Sequence, residues 1–372
     1  MKICFKNGKI LRKGQIIKED FWIENGKVIV PQLQADQTIE LDEGMLIAPG
    51  YIDLQINGGF GFDFTQSLKP LEKVALKLPK FGVTAFLPTL ISTSPENYRR
   101  LMAEYCPGKG ATSVGLHLEG PFLSKEQSGA HEKQFFRDFS ERNSLENCYG
   151  SLSHVKMITL APELPHALSY ISELNSRGIL VAAGHSQASY EIMQASSQAG
   201  LKMSTHLFNA MVPFHHRNPG MIAAALTLPR FFYSIIADGI HCHPAALRLA
   251  WQANPKGLIL ISDGMAALGQ GDGHYQLGGK EVSVQSNRAL IVGTTRIAGS
   301  VLPLDAAVRN FRDATGCSIV EAIEAATLKP AQVLGLTSKG HLEIGADADF
   351  NLLDENLKVQ CSYVLGIEYK TK

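Results

Sequence analysis

Apolar and polar positions alternate in two textures along the chain. Residues 1–45 carry short apolar runs broken by Gly and charged residues, as in CFKNG, DFWIENGKVIV and TIELDEG. The tail HLEIGADADFNLLDENLKVQCSYVLGIEYK has the same texture, with Gly, Asp and Asn at the breaks. Both read as short antiparallel strands joined by turns. Neither stretch can bury much surface alone, so residues 1–45 and 335–372 are expected to pair in one small β-sandwich.

Between them lie eight wholly apolar or nearly apolar runs, at 46–54, 83–87, 114–118, 155–160, 179–183, 203–208, 232–237 and 258–261. Amphipathic segments such as HALSYISELNSRG and SYEIMQASSQAG separate several of them, with the apolar spacing and terminal glycines of crossover helices. The alternation predicts an α/β fold with parallel strands, read as a TIM-like (β/α)8 barrel over 46–334. An open doubly wound sheet is the alternative, but GxGxxG is absent and Gly58, Gly59 and Gly61 lack a clean following helix, which disfavours a Rossmann site. The glycine-rich stretch around 270–300 reads as a β-hairpin-like insertion. Helices are expected over 302–311 and 319–328, with Lys329 and Pro330 marking a boundary before the terminal sheet.

Composition narrows the function classes. The 372 residues hold 35 basic and 35 acidic side chains, so no broad positive field draws the protein to nucleic acid or an anionic membrane. The opening MKICFKNGKILRK is not a secretory pattern, and no stretch of about 18 apolar residues suits a membrane span, so the expected location is cytoplasmic. Six dispersed cysteines without a CxxC pair read as reduced thiols.

Polar residues collect where the predicted strands end: Asp53, Gln55 and Asn57; Thr89; His117 and Glu119; Glu163; His185; His206 and Asn209; Asp238 and His241; Asp263. In a β/α barrel those ends converge on one site. Glu119, His185 and His206 offer one carboxylate and two imidazoles, a set suited to one divalent ion, foremost Zn2+, with Fe2+, Co2+ or Mn2+ also matched to N/O ligands. His117 or His131 could replace one of these ligands. Asp263, in ISDG, is placed to take a proton from water and return it to a departing amine. Its bland alternative is a solvated turn residue. His241, in IADGIHCHP, could polarise a carbonyl, with His243 as a competitor. Arg217, in HHRNPG, offers a guanidinium fork for an anion such as phosphate, or a loop or subunit salt bridge.

The segments APGYIDLQINGGFGFDF, GLHLEGPFLS, AAGHSQAS, THLFNAM, IADGIHCHP, LISDGMAALG, RIAGS and GHLEIGADADF together resemble the N-acetylglucosamine-6-phosphate deacetylases of the metal-dependent amidohydrolase superfamily. The resemblance spans nearly the full chain. It implies a β/α barrel with a small β-sandwich and a homodimer. It also implies metal ligation by Glu119, His185 and His206, acid/base work by Asp263 and carbonyl recognition by His241. Substrate binding is implied for Ala130, Asn209, Ala210, Arg217, Ile297, Ala298 and Gly299, with Arg217 reaching the phosphate of the neighbouring subunit. The implied substrate is a phosphorylated N-acetylamino sugar, cleaved to acetate and an amino sugar phosphate. Where the wider superfamily often has His-x-His on the first strand, this chain has Gln55 and Asn57, so a single ion is expected. Gln55, Asn57 and His117 are left to supporting contacts or a weak second metal. Competing readings are a deacetylase for an isomeric amino sugar phosphate, a cyclic amidase, and a non-catalytic sugar-phosphate binder.

Overall fold

The computed structural model describes residues 1–141 and 143–370. Eight parallel strands pair in sequence order: β1 (Tyr51–Ile56), β2 (Val83–Ile91), β3 (Leu116–Glu119), β4 (Val155–Leu160), β5 (Leu180–Ala183), β6 (Met203–Ser204), β7 (Phe232–Ile235) and β8 (Leu258–Leu260). A two-residue strand, Thr112–Ser113, lies beside β2. Parallel neighbours of this kind need helical crossovers, and the chain supplies them at Pro95–Glu104, Ala167–Ser176, Tyr190–Gln198, Gly220–Thr227 and Pro244–Ala253. Ser94 and Ser189 cap two of these by accepting the Asn97 and Ile192 N–H groups.

The near-continuous apolar runs reflect burial on both faces of the sheet. Met157, Ala182, Met203, Ile259 and Ile261 form one cluster with Ile52, Leu54, Ala85 and Leu87, filling the barrel. The alternate residues, among them Leu118, Ile158, Val181, Tyr233 and Leu260, belong to the larger layer beneath the helices. Each fully buried Leu, Ile, Val or Met among them contributes roughly 1.5–3 kcal/mol.

The two chain ends build a six-stranded sheet, in the order Ile367–Lys370, Val359–Val364, Phe350–Leu353, Leu46–Pro49, Lys9–Arg12 and Gln15–Lys18. A four-stranded sheet from the first 40 residues faces it, and Phe5 and Phe21 of that sheet meet Phe350 edge-on at 5.2 and 5.1 Å. The fold is thus the expected barrel with a terminal sandwich. The stretch 270–300 forms three antiparallel strands, β9 (Gly273–Leu277), β10 (Lys280–Gln285) and β11 (Arg288–Ile291).

Two expectations change in detail. The run 46–54 is not one strand: Leu46–Pro49 pairs with the terminal strands, and only Tyr51–Ile56 enters the barrel. Gly50 makes the transfer, because a Cβ there would sit 2.1 Å from the Thr84 hydroxyl. Pro330 does not end a helix. It lies in the first turn of Leu328–Leu334, where the missing N–H breaks no intrahelical bond. The stretch 319–328 accordingly divides into Ile319–Glu324 and the start of that next helix. All six cysteines are free thiols.

Candidate metal centre and active site

The barrel delivers the polar residues to one mouth. Glu119 is the last residue of β3, and His185, His206 and Asp263 follow the ends of β5, β6 and β8 within three residues. They line a cavity of about 260 Å³ together with Asn57, Ala130, Asn209, Ala210, His241, Ile297 and Gly299. A larger cavity of about 440 Å³, lined by Lys125 and Arg137, holds none of these groups but takes Glu163, a strand-end residue expected at the site.

Glu119 Oε1 lies 3.2 Å from His185 Nε2 and 2.9 Å from His206 Nε2, and the two nitrogens are 3.2 Å apart. His185 Nδ1 meets the Gln127 carbonyl at 2.8 Å, so Nδ1 carries the proton and Nε2 keeps its lone pair. Burial opposes ionisation of Glu119, but the surrounding imidazoles of His131, His185 and His206 outweigh it and hold the carboxyl well below its ordinary range. A carboxylate and two imidazole nitrogens crowded this closely, in a buried site, suit a divalent cation of N/O preference.

His131 also approaches, with Nε2 3.6 Å from Glu119 Oε2, and Glu119, His131 and His185 by themselves make a group that could hold an ion. The hydrogen-bond pattern of His131 differs from that of His185. The Ser92 N–H donates to His131 Nδ1 at 3.2 Å, so the proton sits on Nε2, facing the cavity as a donor. Burial pushes this imidazole down to about 4, which keeps it neutral.

Asp263 faces the ligand cluster from the barrel seam. Its Oδ1 accepts Asn57 Nδ2 at 2.8 Å and Gln55 Nε2 at 3.0 Å, and Gln55 Nε2 also reaches Glu119 Oε1 at 3.1 Å. Burial, reinforced by the Glu119 charge, raises the Asp263 carboxyl to about 6. The amides at the His-x-His positions are thus engaged in holding Asp263. His241 is fixed through Nδ1 on Asp238 Oδ2 at 2.7 Å, which leaves Nε2 free for a ligand.

Against this geometry stand the comparisons with known proteins. Residues 46–367 match the model of the amidohydrolase family. An N-acetylglucosamine-6-phosphate deacetylase of Mus musculus is 45% identical over 97% of this chain and 94% of its own length. That of Bacillus subtilis is 34% identical over 96% and 94%. The chain belongs to the amidohydrolase family, in its N-acetylglucosamine-6-phosphate deacetylase branch. Among solved structures, the deacetylase of Thermotoga maritima superposes on this amidohydrolase with a TM-score of 0.88 at 31% identity over 99% of both chains. A Mycobacterium smegmatis deacetylase in complex with N-acetyl-D-glucosamine-6-phosphate gives 0.86 at 30% over 99% of this chain and 98% of its own.

Not every anticipated residue reaches the amidohydrolase cavity. His117 is buried with Nδ1 3.3 Å from the Thr89 hydroxyl and Nε2 2.8 Å from that of Thr159, and it is not on the cavity wall. Ala298 packs beneath Ile297 and Gly299, away from the wall. Arg217 is exposed, with Nη1 3.3 Å from His216 Nε2, and lies outside its own chain's cavity. Sequence reasoning passed over Gly129, whose φ is +52° and whose added Cβ would stand 2.9 Å from His185 Cε1. Nothing in the local string SGAH marks that glycine. It also passed over Leu277 and Thr295, which the insertion brings to the wall.

Proposed function

We propose that the enzyme hydrolyses the acetamido group of N-acetyl-D-glucosamine 6-phosphate, giving D-glucosamine 6-phosphate and acetate, in amino-sugar catabolism or cell-wall sugar recycling. The observation that carries this reading is the meeting of Glu119, His185 and His206 with Asp263 in one cavity, in a chain 45% identical to a deacetylase over nearly its whole length.

Glu119, His185 and His206 would hold one divalent ion, foremost Zn2+, with Fe2+, Co2+ or Mn2+ as substitutes. Such an ion supplies Lewis acidity toward the acetamido carbonyl and acidifies water. Asp263, as carboxylate, takes a proton from the attacking water and passes it to the amine nitrogen as the C–N bond breaks. The Nε2–H of His131 and the side chain of His241 hold the carbonyl oxygen as it gains charge. Asn209, Ala210, Ala130 and the Ile297–Ala298–Gly299 segment seat the sugar. Engagement of Gln55 and Asn57 with Asp263 supports a one-ion site.

The same reading includes a cytoplasmic homodimer in which Arg217 reaches the phosphate in the neighbouring site. Its support is the exposed loop that carries Arg217 beside Phe214, which is 59% exposed. It also divides the chain into 1–45 with 335–372, and 46–334, with Leu46–Pro49 of the second stretch lent to the terminal sheet.

An acetate-release assay tests the activity. Chelation is expected to abolish release and Zn2+ to restore it, while Asp263→Asn loses about 10²- to 10⁴-fold. Binding of the phosphorylated sugar by the loaded parent without acetate release would instead make it a binder, and turnover of a cyclic imide alone would make it a cyclic amidase. Arg217→Ala is expected to raise KM for the phosphorylated sugar about tenfold or more and to leave unphosphorylated N-acetylglucosamine unaffected. Equal effects on both sugars would remove Arg217 from phosphate recognition.

A further inference from the structure

The barrel closes without a regular ladder between β1 and β8. Low in the seam, the turn after Ile319–Glu324 is wedged between them, and its Ala326 and Ala325 carbonyls accept the N–H groups of Ile52 and Leu260 at 2.7 and 2.8 Å. At the mouth, Asp263 N–H donates to the Gln55 carbonyl at 3.0 Å and Asn57 N–H to that of Gly264 at 2.7 Å. Between wedge and mouth, the connection is the side chain of Asp53.

The Asp53 carboxylate is 1% exposed and has no cation among its hydrogen-bond partners. Burial pushes it up to about 7. A seam filler would be cheaper as an apolar residue, because a buried carboxylate without a cation is costly. Three bonds distinguish Asp from such a filler. Oδ2 accepts the Ser262 hydroxyl at 2.5 Å, and Oδ1 accepts the N–H groups of Ser262 at 3.2 Å and Gln55 at 3.3 Å. The Ser262 hydroxyl oxygen in turn accepts Gly264 N–H at 3.0 Å.

Those contacts bracket Asp263, whose φ of +48° is a left-handed conformation that a non-glycine residue keeps only when its surroundings impose it. They also fix the backbone of Gln55, the residue whose amide grips Asp263 Oδ1. We infer that Asp53 is a positioning residue for the reaction, acting through Ser262 and Gln55 to aim the Asp263 carboxylate. The inference rests on the reading of Asp263 as general base. Asp53 touches neither the substrate cavity nor the three ligand residues, so its influence is on the aim of the base rather than on binding.

The test uses the metal-loaded enzyme and the variants Asp53→Asn and Ser262→Ala, with bound metal, melting temperature, KM and kcat measured for each. Asp53→Asn keeps an acceptor for the two backbone N–H groups, and Ser262→Ala removes only the hydroxyl, so the second variant serves where the first folds poorly. Metal content and KM are expected to stay within about twofold while kcat falls about ten- to a hundredfold, the scale of a small misplacement of a reacting group. The two changes combined should cost less than the product of their separate effects. In an Asp263→Asn background neither should alter the residual rate. A lowered melting temperature with unchanged kcat would make Asp53 a seam fastener and overturn the inference, as would a loss of metal that accounts for the whole loss of rate. Retained turnover in Asp263→Asn alone would overturn the base assignment, a different outcome from an inactive Asp263→Asn beside a normal Asp53→Asn.

Discussion

His185, His206 and Asp263 all hold positive φ, at 51°, 37° and 48°, although none is glycine. Each costs about 1–3 kcal/mol unless its surroundings compensate. The chain thereby turns sharply at the strand end and swings the side chain across the barrel mouth. For Asp263 the result is a buried carboxyl that faces Glu119 and is raised to about 6. In its proposed role as base it works ionised, so kcat/KM is expected to rise with pH through its titration. A bound dication favours the anion, and the acid limb in the loaded enzyme is therefore expected at or below about pH 6. A pH profile of acetate release checks this: the limb should be absent from the residual activity of Asp263→Asn, and its persistence there would assign it to another group. The strand-end placement of these residues was legible because apolar runs mark the strands. What separates His131 from His117 was not. Both follow apolar or small residues in similar strings, and their roles diverge through Ser92 on one and Thr89 and Thr159 on the other, partners contributed by other parts of the chain.

The three strands β9 to β11 show the same limit for a whole element. Their Gly-rich alternation announced an antiparallel insertion, but not what it covers. Gly278, in the β9–β10 turn, donates its N–H to Asp63 Oδ2 at 2.6 Å, and Lys280 Nζ reaches the carbonyls of Ala130 and His131 at 2.9 and 3.3 Å. The insertion thus braces the loop that presents Ala130 and the His131 ring to the cavity. Removing the cation in Lys280→Met frees that loop without touching the barrel core. Loss of the two carbonyl hydrogen bonds at a partly exposed site is worth about 1 kcal/mol, so KM is expected to rise about fivefold with the melting temperature little changed. Steady-state kinetics beside a thermal melt decide it, and an unchanged KM would show that the loop holds its shape without the brace. At this scale the strand run 46–54 and Pro330 mark the weakness of reading by pattern. A strand can change sheets at one glycine, and a proline is as much at home in a helix's first turn as beyond its end.

Across the whole molecule, the GADADF motif near the C-terminus joins sandwich to barrel. Lys339 is 8% exposed and lies 2.9 Å from Asp347 Oδ2 and 2.6 Å from Asp349 Oδ2, while the Asp349 carbonyl accepts Gly50 N–H at 2.9 Å. Gly50 is the hinge into β1, the strand that carries Asp53 and Gln55. Burial raises the Asp349 carboxyl, and Lys339 limits the rise. Lys339→Met leaves that carboxylate buried without its cation, at an expected cost of about 3–5 kcal/mol near neutral pH. The cost has a definite pH sign. In the variant, Asp349 titrates far above the unfolded value of about 3.9, so the folded state binds more protons than the unfolded one between the two. Stability then falls as pH rises, by up to about 1.4 kcal/mol per unit, and the gap from the parent narrows as Asp349 takes up a proton on going from pH 8 to pH 5. Urea unfolding at both pH values measures the gap. Since the clamp holds the hinge into the strand that organises Asp263, acetate release should be lost along the same unfolding curve. A gap that stays constant with pH would place the cost in lost packing of the lysine stem, and activity outlasting the sandwich would show that the barrel holds β1 in place without it.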